Sequence, residues 1–170
     1  KNNSLQFCET TSWGFSTRMV GATIMAHGDD HGLVLPPNVA PTQVVVVPIF
    51  RSEDDRRAVA GAIETLEASL AGVQTASGPL RLKVDWREET PGFKFNHWEL
   101  RGVPLRLEIG PRDVAAGQGV LVRRFDRAKE AMPLASLAGE LPQRLATYQS
   151  DVLQRARDFQ QQHTHRRAEQ

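Results

Sequence analysis

The stretch VVVVPIF, residues 44–50, decides the architecture. It is β-branched and apolar with no alternation, the pattern of a strand covered on both faces. Ser52 follows, then EDDRRAVAGAIETLEASLAG. The serine and the acidic first turn are helix-start signals, and Gly72 is a stop. Val59, Ile63, Leu66 and Leu70 recur at helical spacing and would face the sheet. Further along, LRLKVDW (80–86) reads as a second strand. TPGFKFNHWELRG (90–102) reads as a turn and short helix ending at Gly102. VPLRLEI (103–109) alternates, with Val103, Leu105, Leu107 and Ile109 on one face and Arg106 and Glu108 on the other. GPRDVAAGQG is a turn-rich connection, VLVRRF (120–125) another strand, and KEAMP (129–133) a short paired one. A long helical tract then runs from Leu134 to about Gln162. Pro142 suggests that it starts after Leu141, and Leu141, Leu145, Tyr148, Val152 and Phe159 mark its buried stripe.

Strands alternating with helices argue for an α/β layer with a mixed sheet and right-handed crossovers. Residues 42–162 read as one domain, residues 1–40 as an incomplete segment ahead of it, and residues 163–170 as a polar tail. The 170 residues, 40% of them hydrophobic, suffice for such a core. Lys and Arg number 21 against 20 Asp and Glu, so any contact with nucleic acid must come from a local patch. The single cysteine, Cys8, excludes an internal disulfide and a CxxC metal pair. No apolar run approaches the roughly 18 residues that span a membrane. The first residue is Lys, and no signal-peptide pattern follows, which suggests a soluble, cytoplasmic fragment or processed chain.

The opening segment carries its own chemistry: TSWGFSTRMVGATIMAHGDDHGLVLPP, residues 11–37. Trp13 and Gly14 end a strand-like piece, and Ser16 can cap a helix over Thr17–His27. Arg18 lies in that helix's first turn, where a cation is disfavoured by the dipole unless an anion joins it. The two readings are a phosphate site and a simple pair with a nearby carboxylate. His27, Asp29, Asp30 and His31 have metal-ligand side chains, but a polar turn is the simpler reading, and no metal site is assigned. His163 and His165 in the tail are read the same way.

The run Trp13-Gly14-x-Ser16-Thr17-Arg18-x-x-Gly21-x-x-Ile24-Met25-x-His27-Gly28-Asp29-Asp30-x-Gly32-Leu33-x-Leu35-Pro36-Pro37 resembles the third signature motif of class II prolyl-tRNA synthetases. The likeness continues through APTQVVVVPI (40–49), TPGFKFNHWELRGVPLRLEIGPRD (90–113) and the tail FQQQHTHRR. In detail it is similar to the branch shared by archaea, the eukaryotic cytoplasm and some bacteria.

The resemblance implies that residues 1–40 end a catalytic domain and that residues 42–162 form an anticodon-binding domain, a mixed five-stranded sheet with helices. It implies ATP contact for Arg18, and weaker substrate-side roles for Trp13, Ser16 and His27. The parent activity would be proline–tRNA ligation through prolyl-adenylate, with ATP and Mg2+, in a homodimer. Motifs 1 and 2 lie upstream in that family and are absent here, so the isolated chain is expected to be inactive. A zinc-binding domain follows in that branch; the sequence stops before it, and no structural zinc is expected.

Proline codons begin CC, so the partner tRNA(Pro) anticodon ends in two guanines. A guanine Watson–Crick edge suits a carboxylate, its O6 and N7 suit Arg or Lys, and loop bases stack on aromatic rings. The resemblance points to Phe95 for stacking, Glu99 and Arg106 for base edges, and Arg112 with Asp113 at the GPRD turn. Many relatives have Lys at Arg112, while Asn96 and His97 fall at variable positions. The plainer readings place Phe93 and Trp98 in the core, make Arg106 and Glu108 a solvated pair, and leave Arg123 and Arg124 on a solvated surface. The competing functions are a stand-alone anticodon-binding-like accessory or interaction module, which would not need motif 3, and a nucleotide-binding domain, which lacks a GxxxxGK[ST] loop.

Overall fold

Why the valine run has no polar face becomes clear from its neighbours. In the computed structural model, which describes residues 5–164, Val44–Pro48 is an inner strand of a five-stranded sheet, and all five residues are buried. In chain order the elements begin with α1 (Arg18–His27) and a minimal hairpin of β1 (Gly28–Asp29) and β2 (Gly32–Leu33). Then come β3 (Val44–Pro48), α2 (Glu53–Leu70) and a second minimal hairpin of β4 (Gln74–Thr75) and β5 (Gly78–Pro79). After it follow β6 (Leu82–Val84), α3 (Pro91–Leu100), β7 (Leu105–Ile109) and α4 (Pro111–Ala115). The chain closes with β8 (Gln118–Arg123), β9 (Lys129–Pro133), one 3-10 turn (Leu134–Ser136) and α5 (Leu137–His163).

The sheet order is β6-β3-β7-β8-β9. β3 is parallel to β6 and β7, and β8 and β9 add antiparallel. Val44, Val46, Leu105 and Leu107 pack with α2 and α5 in the main core, whereas Val45 and Val47 meet Trp98 and Phe95 of α3 on the other face. The chain crosses one way from β3 to β6 with α2 on one face. It returns to β7 with α3 on the opposite face. Reversing both direction and face keeps a single hand of crossover.

Ser52 caps α2 as its position implies, its hydroxyl accepting from the Asp55 N–H, and Val59, Ile63, Leu66 and Leu70 are its buried residues. Other expectations are corrected. The GPRD connection contains α4. Val103 precedes β7 and packs with Val45, Val47 and Trp98 instead of sharing the face of Leu105. α5 starts at Leu137, with Pro142 inside it. An interior proline costs about 3 kcal/mol. Leu137 and Leu141 are both fully buried, and each such burial contributes about 1.5–3 kcal/mol, so packing wins over the breaker. The stripe of α5 ends at Val152: Phe159 is exposed and stacks on His163. Phe93 is likewise exposed, while Trp98 is core.

The opening segment divides. Residues 5–16 form no strand, so the strand-like piece before Trp13 has no partner among the described residues, and α1 buries none of its side chains. From Gly28 onward the chain is welded to the sheet domain. Gly32 (φ +125°) and Gly102 (φ +70°) let the β1–β2 hairpin meet the end of α3. A Cβ on Gly32 would stand 2.4 Å from Leu100 Cα, and one on Gly102 would stand 2.6 Å from Leu33 Cβ. Val34 then enters the main core. Of the two tail histidines, His165 lies outside the described residues.

Candidate nucleic-acid interface

α3 is positioned by short local signals. Thr90 caps it, its hydroxyl accepting from the Phe93 N–H at 3.4 Å; Pro91 fills the first turn, and Gly102 takes the left-handed exit. Residues four apart share a flank. Lys94 and Trp98 turn inward and are buried. The Trp98 indole N–H donates to Asp85 Oδ2 at 2.7 Å, and the Lys94 ammonium donates to the Asp85 carbonyl at 3.1 Å. Arg87 forks onto the same carboxylate at 2.6 and 2.8 Å. Those bonds, the Arg87 contact first, hold the Asp85 carboxyl well below the usual range despite its burial. Burial pushes the Lys94 ammonium down. None of this network was read from the sequence. Its one signal is that Lys94 and Trp98 share a helix face.

Phe95 and Glu99 lie on the flank toward β7. Strand alternation puts Arg106 and Glu108 on the same side, opposite Val45 and Val47. Arg106 is the hub. Its Nε donates to Glu108 Oε1 at 3.0 Å, its Nη2 lies 3.0 Å from the same oxygen as an ion pair, its Nη1 donates to Glu99 Oε1 at 3.1 Å, and its guanidinium lies 4.3 Å from the Phe95 ring centroid. Lys129 approaches the same Glu108 oxygen at 3.9 Å. The solvated-pair reading of Arg106 and Glu108 is therefore corrected: both are buried, because α3 overhangs this part of the sheet. Glu99, one quarter exposed, keeps its second carboxylate oxygen outside these bonds. A guanidinium has five N–H donors. Two donate here, the one on Nε and one on Nη1, so N–H groups remain on both Nη1 and Nη2. The cluster thus offers a flat cation, carboxylate oxygens and an aromatic face together.

The GPRD turn is built differently. Asp113 Oδ2 accepts from the Gly110 N–H at 2.8 Å, so its carboxylate caps α4, while Arg112 is exposed. Arg123 and Arg124 diverge as strand neighbours should, but neither is a solvated cation. Arg123 pairs with Asp151 at 2.5 Å. Arg124 is buried, forks onto Asp29 at 2.5 and 2.9 Å, and donates to the Glu99 carbonyl at 3.2 Å. That fork, with a smaller bond from the His31 N–H, lowers the Asp29 pKa to about 2. Asp29 is thereby committed to holding the hairpin. Among the described residues no group of three or more His, Cys, Asp or Glu could hold a metal.

The opening residues do not join this cluster. Trp13, Ser16 and Arg18 are all exposed, and the Ser16 hydroxyl accepts from the Arg18 N–H at 3.4 Å. His27 is half-buried at the end of α1, and its carbonyl accepts from the Val34 N–H at 2.6 Å.

Comparison with known proteins fits this geometry. The family model for the anticodon binding domain matches residues 43–144. A proline–tRNA ligase of Roseiflexus castenholzii is 46% identical over 168 residues, 96% of this chain and 34% of its own length. One from Mycobacterium leprae is 50% identical over 160 residues, 93% of this chain and 32% of its length. The chain thus spans about a third of the curated relatives it matches. The crystal structure of prolyl-tRNA synthetase from Cryptosporidium parvum, complexed with L-proline and AMP, superposes with a TM-score of 0.77 at 37% identity, covering 86% of this chain and 30% of that one. The chain belongs to the anticodon-binding domain family, in the form that prolyl-tRNA synthetases carry.

Proposed function

We propose that these residues serve as the anticodon-reading part of a proline–tRNA ligase, which joins proline to tRNA(Pro) through prolyl-adenylate at the expense of ATP. The observation that carries the reading is the cluster of Phe95, Glu99, Arg106 and Glu108 between α3 and β7. The free oxygen of Glu99 suits the two donors on a guanine Watson–Crick edge. The unspent N–H groups of Arg106 suit O6 and N7. The Phe95 ring, already stacked on Arg106, suits a base laid against it. Arg112 adds an exposed cation beside the turn that Asp113 holds, and as a planar fork it can grip a base edge where Lys would act as a point charge.

Arg18 and its neighbours Trp13, Ser16 and His27 belong, in this reading, to the ATP and proline side. The Cryptosporidium structures were solved with L-proline and AMP, or with halofuginone and AMPPNP. Here the fit of ATP to the described residues is poor: α1 buries nothing, and Arg18 is exposed. Nothing in the chemistry of activation is therefore assigned to this chain alone, and the 170 residues by themselves should not activate proline. Mg2+, a homodimer, the cytoplasmic setting and the archaeal and eukaryotic-like branch are further parts of the proposed parent. No helix among the described residues is long and apolar enough to cross a membrane.

The test is binding of the chain to the proline anticodon stem-loop at fixed salt, with each of the two guanines replaced in turn by adenine. The expected loss is about 1–3 kcal/mol per replaced base. Equal binding to all loops would remove the anticodon assignment.

A further inference from the structure

α3 has a second flank, and its chemistry differs from the first. Phe93, His97 and Arg101 recur every four residues on the side of α3 turned away from Phe95 and Glu99, over the edge strand β6. Lys83 rises from β6, and Arg87 follows it. Three cations gather around one buried indole: Lys83 Nζ lies 5.5 Å, Arg101 Cζ 5.7 Å and Arg87 Cζ 5.8 Å from the Trp98 ring centroid. The His97 ring meets the same indole edge-on at 5.1 Å, and the exposed Phe93 ring stacks on His97 at 6.3 Å.

Two cations of this flank, Lys83 and Arg101, are left without an ion pair among the described residues, although Glu88 and Glu89 follow Arg87 in the chain. Asp85 is consumed by Arg87 and Trp98, and Glu89 stands near Arg87 and Lys94. Lys83 and Arg101 are both exposed and form no ion pair among the described residues. Burial first, and then Arg87, Arg101 and Lys83, push the His97 imidazole down, and its ring is part of the stack between Phe93 and Trp98. Like charges collected on an aromatic surface call for an anion, and cations beside an exposed ring form the pattern that tracks a nucleic-acid strand. In a chain whose net charge is +1 this is a local patch. A helix with its side chains is about 10–12 Å across, so a strand held at Phe95 and Glu99 reaches the opposite flank within a few nucleotides.

We propose that the flank of α3 formed by Lys83, Phe93 and Arg101 binds the sugar–phosphate backbone of the same RNA, without reading its bases. The proposal rests on the anticodon reading for the identity of the RNA.

The experiment measures Kd of the full chain for the proline anticodon stem-loop across a salt series. The variants are Lys83→Gln, Arg101→Gln, the double variant, Arg101→Lys and Phe93→Ala, each first checked for an unchanged melting temperature. Each lost charge should flatten the slope of log K against log salt by roughly 0.7–0.9. The double variant should flatten it by about twice that, and Arg101→Lys should restore it. The affinity lost should be the same for the guanine and adenine loops. An unchanged slope, a loss confined to guanine loops, or no RNA binding at low salt would each overturn the proposal. So would charge variants that keep RNA binding but lose binding to anionic vesicles or a phosphopeptide. If adenine replacement costs nothing while the slopes still flatten, base reading by Glu99 and Arg106 fails and the backbone flank stands.

Discussion

Two stretches of this chain carry the densest chemistry, Trp13–Asp30 and Phe93–Asp113, and the fold treats them in opposite ways. In the second, Trp98 and Arg106 are buried and hydrogen-bonded to carboxylates. In the first, Trp13 and Arg18 are exposed, and α1 buries none of its side chains. The difference lies in where the partners are. The α3–β7 cluster draws its neighbours from one sheet, whereas the α1 segment has an apolar face with nothing among the described residues to cover it. A site can be plain in sequence without being assembled in the chain that carries it.

The comparison breaks first at the core. Leu107→Ala removes a fully buried side chain from β7 and should lower the unfolding free energy by about 2–5 kcal/mol, read by urea denaturation. Next is the weld between the two regions. Asp29→Ala strands the buried Arg124 and should cost about 1–3 kcal/mol, with faster hydrogen exchange over residues 28–34. An unchanged exchange rate there would mean that the glycine contacts alone hold the hairpin.

Acid sharpens the same point. The Asp29 pKa in the fold is about 2 against an ordinary 3.8. Its contribution is therefore complete above the unfolded value and is lost as pH falls from there toward the folded one, on the order of 1–2 kcal/mol. Asp29→Asn should flatten that part of the stability–pH curve relative to the parent chain. The smallest effect belongs to the arm. Ile24→Ala, at an exposed position, should change stability by less than about 0.5 kcal/mol. A cost equal to that of Leu107→Ala would show that α1 is packed in solution.

Much of the fold was legible because local signals agreed with tertiary ones. The valine run, the Ser52 cap, the four-residue stripe of α2 and the alternation of β7 each follow from covalent periodicity. What covers a face does not. Alternation puts Arg106 and Glu108 on one side of β7, but only α3 lying over that side makes them a buried pair. Helical spacing continues to Phe159, although α5 outruns what it packs on. Its 27 residues extend about 40 Å, while five strands are about 24 Å wide. Pro142 shows the converse, a local stop signal overridden by two buried leucines. At the candidate site, Phe95, Glu99 and Arg106 were read as separate contacts, and the structure brings them together with Glu108, which was not read as part of it. Asp113 bonds the backbone of its own turn, a cap that the spacing Gly110 to Asp113 could have signalled.

The most direct measurement is a coupling cycle between one carboxylate and one base. Glu99→Gln and the parent chain are each titrated with the anticodon stem-loop carrying guanine or inosine at each of the two positions, at one salt concentration. Inosine lacks only the 2-amino donor. If Glu99 reads a guanine edge, the parent should prefer guanine by about 1–3 kcal/mol at one position, and Glu99→Gln should lose most of that preference there and nowhere else. A preference that survives Glu99→Gln unchanged, or one that was never present, would contradict the assignment of the α3–β7 cluster as the reader of the anticodon.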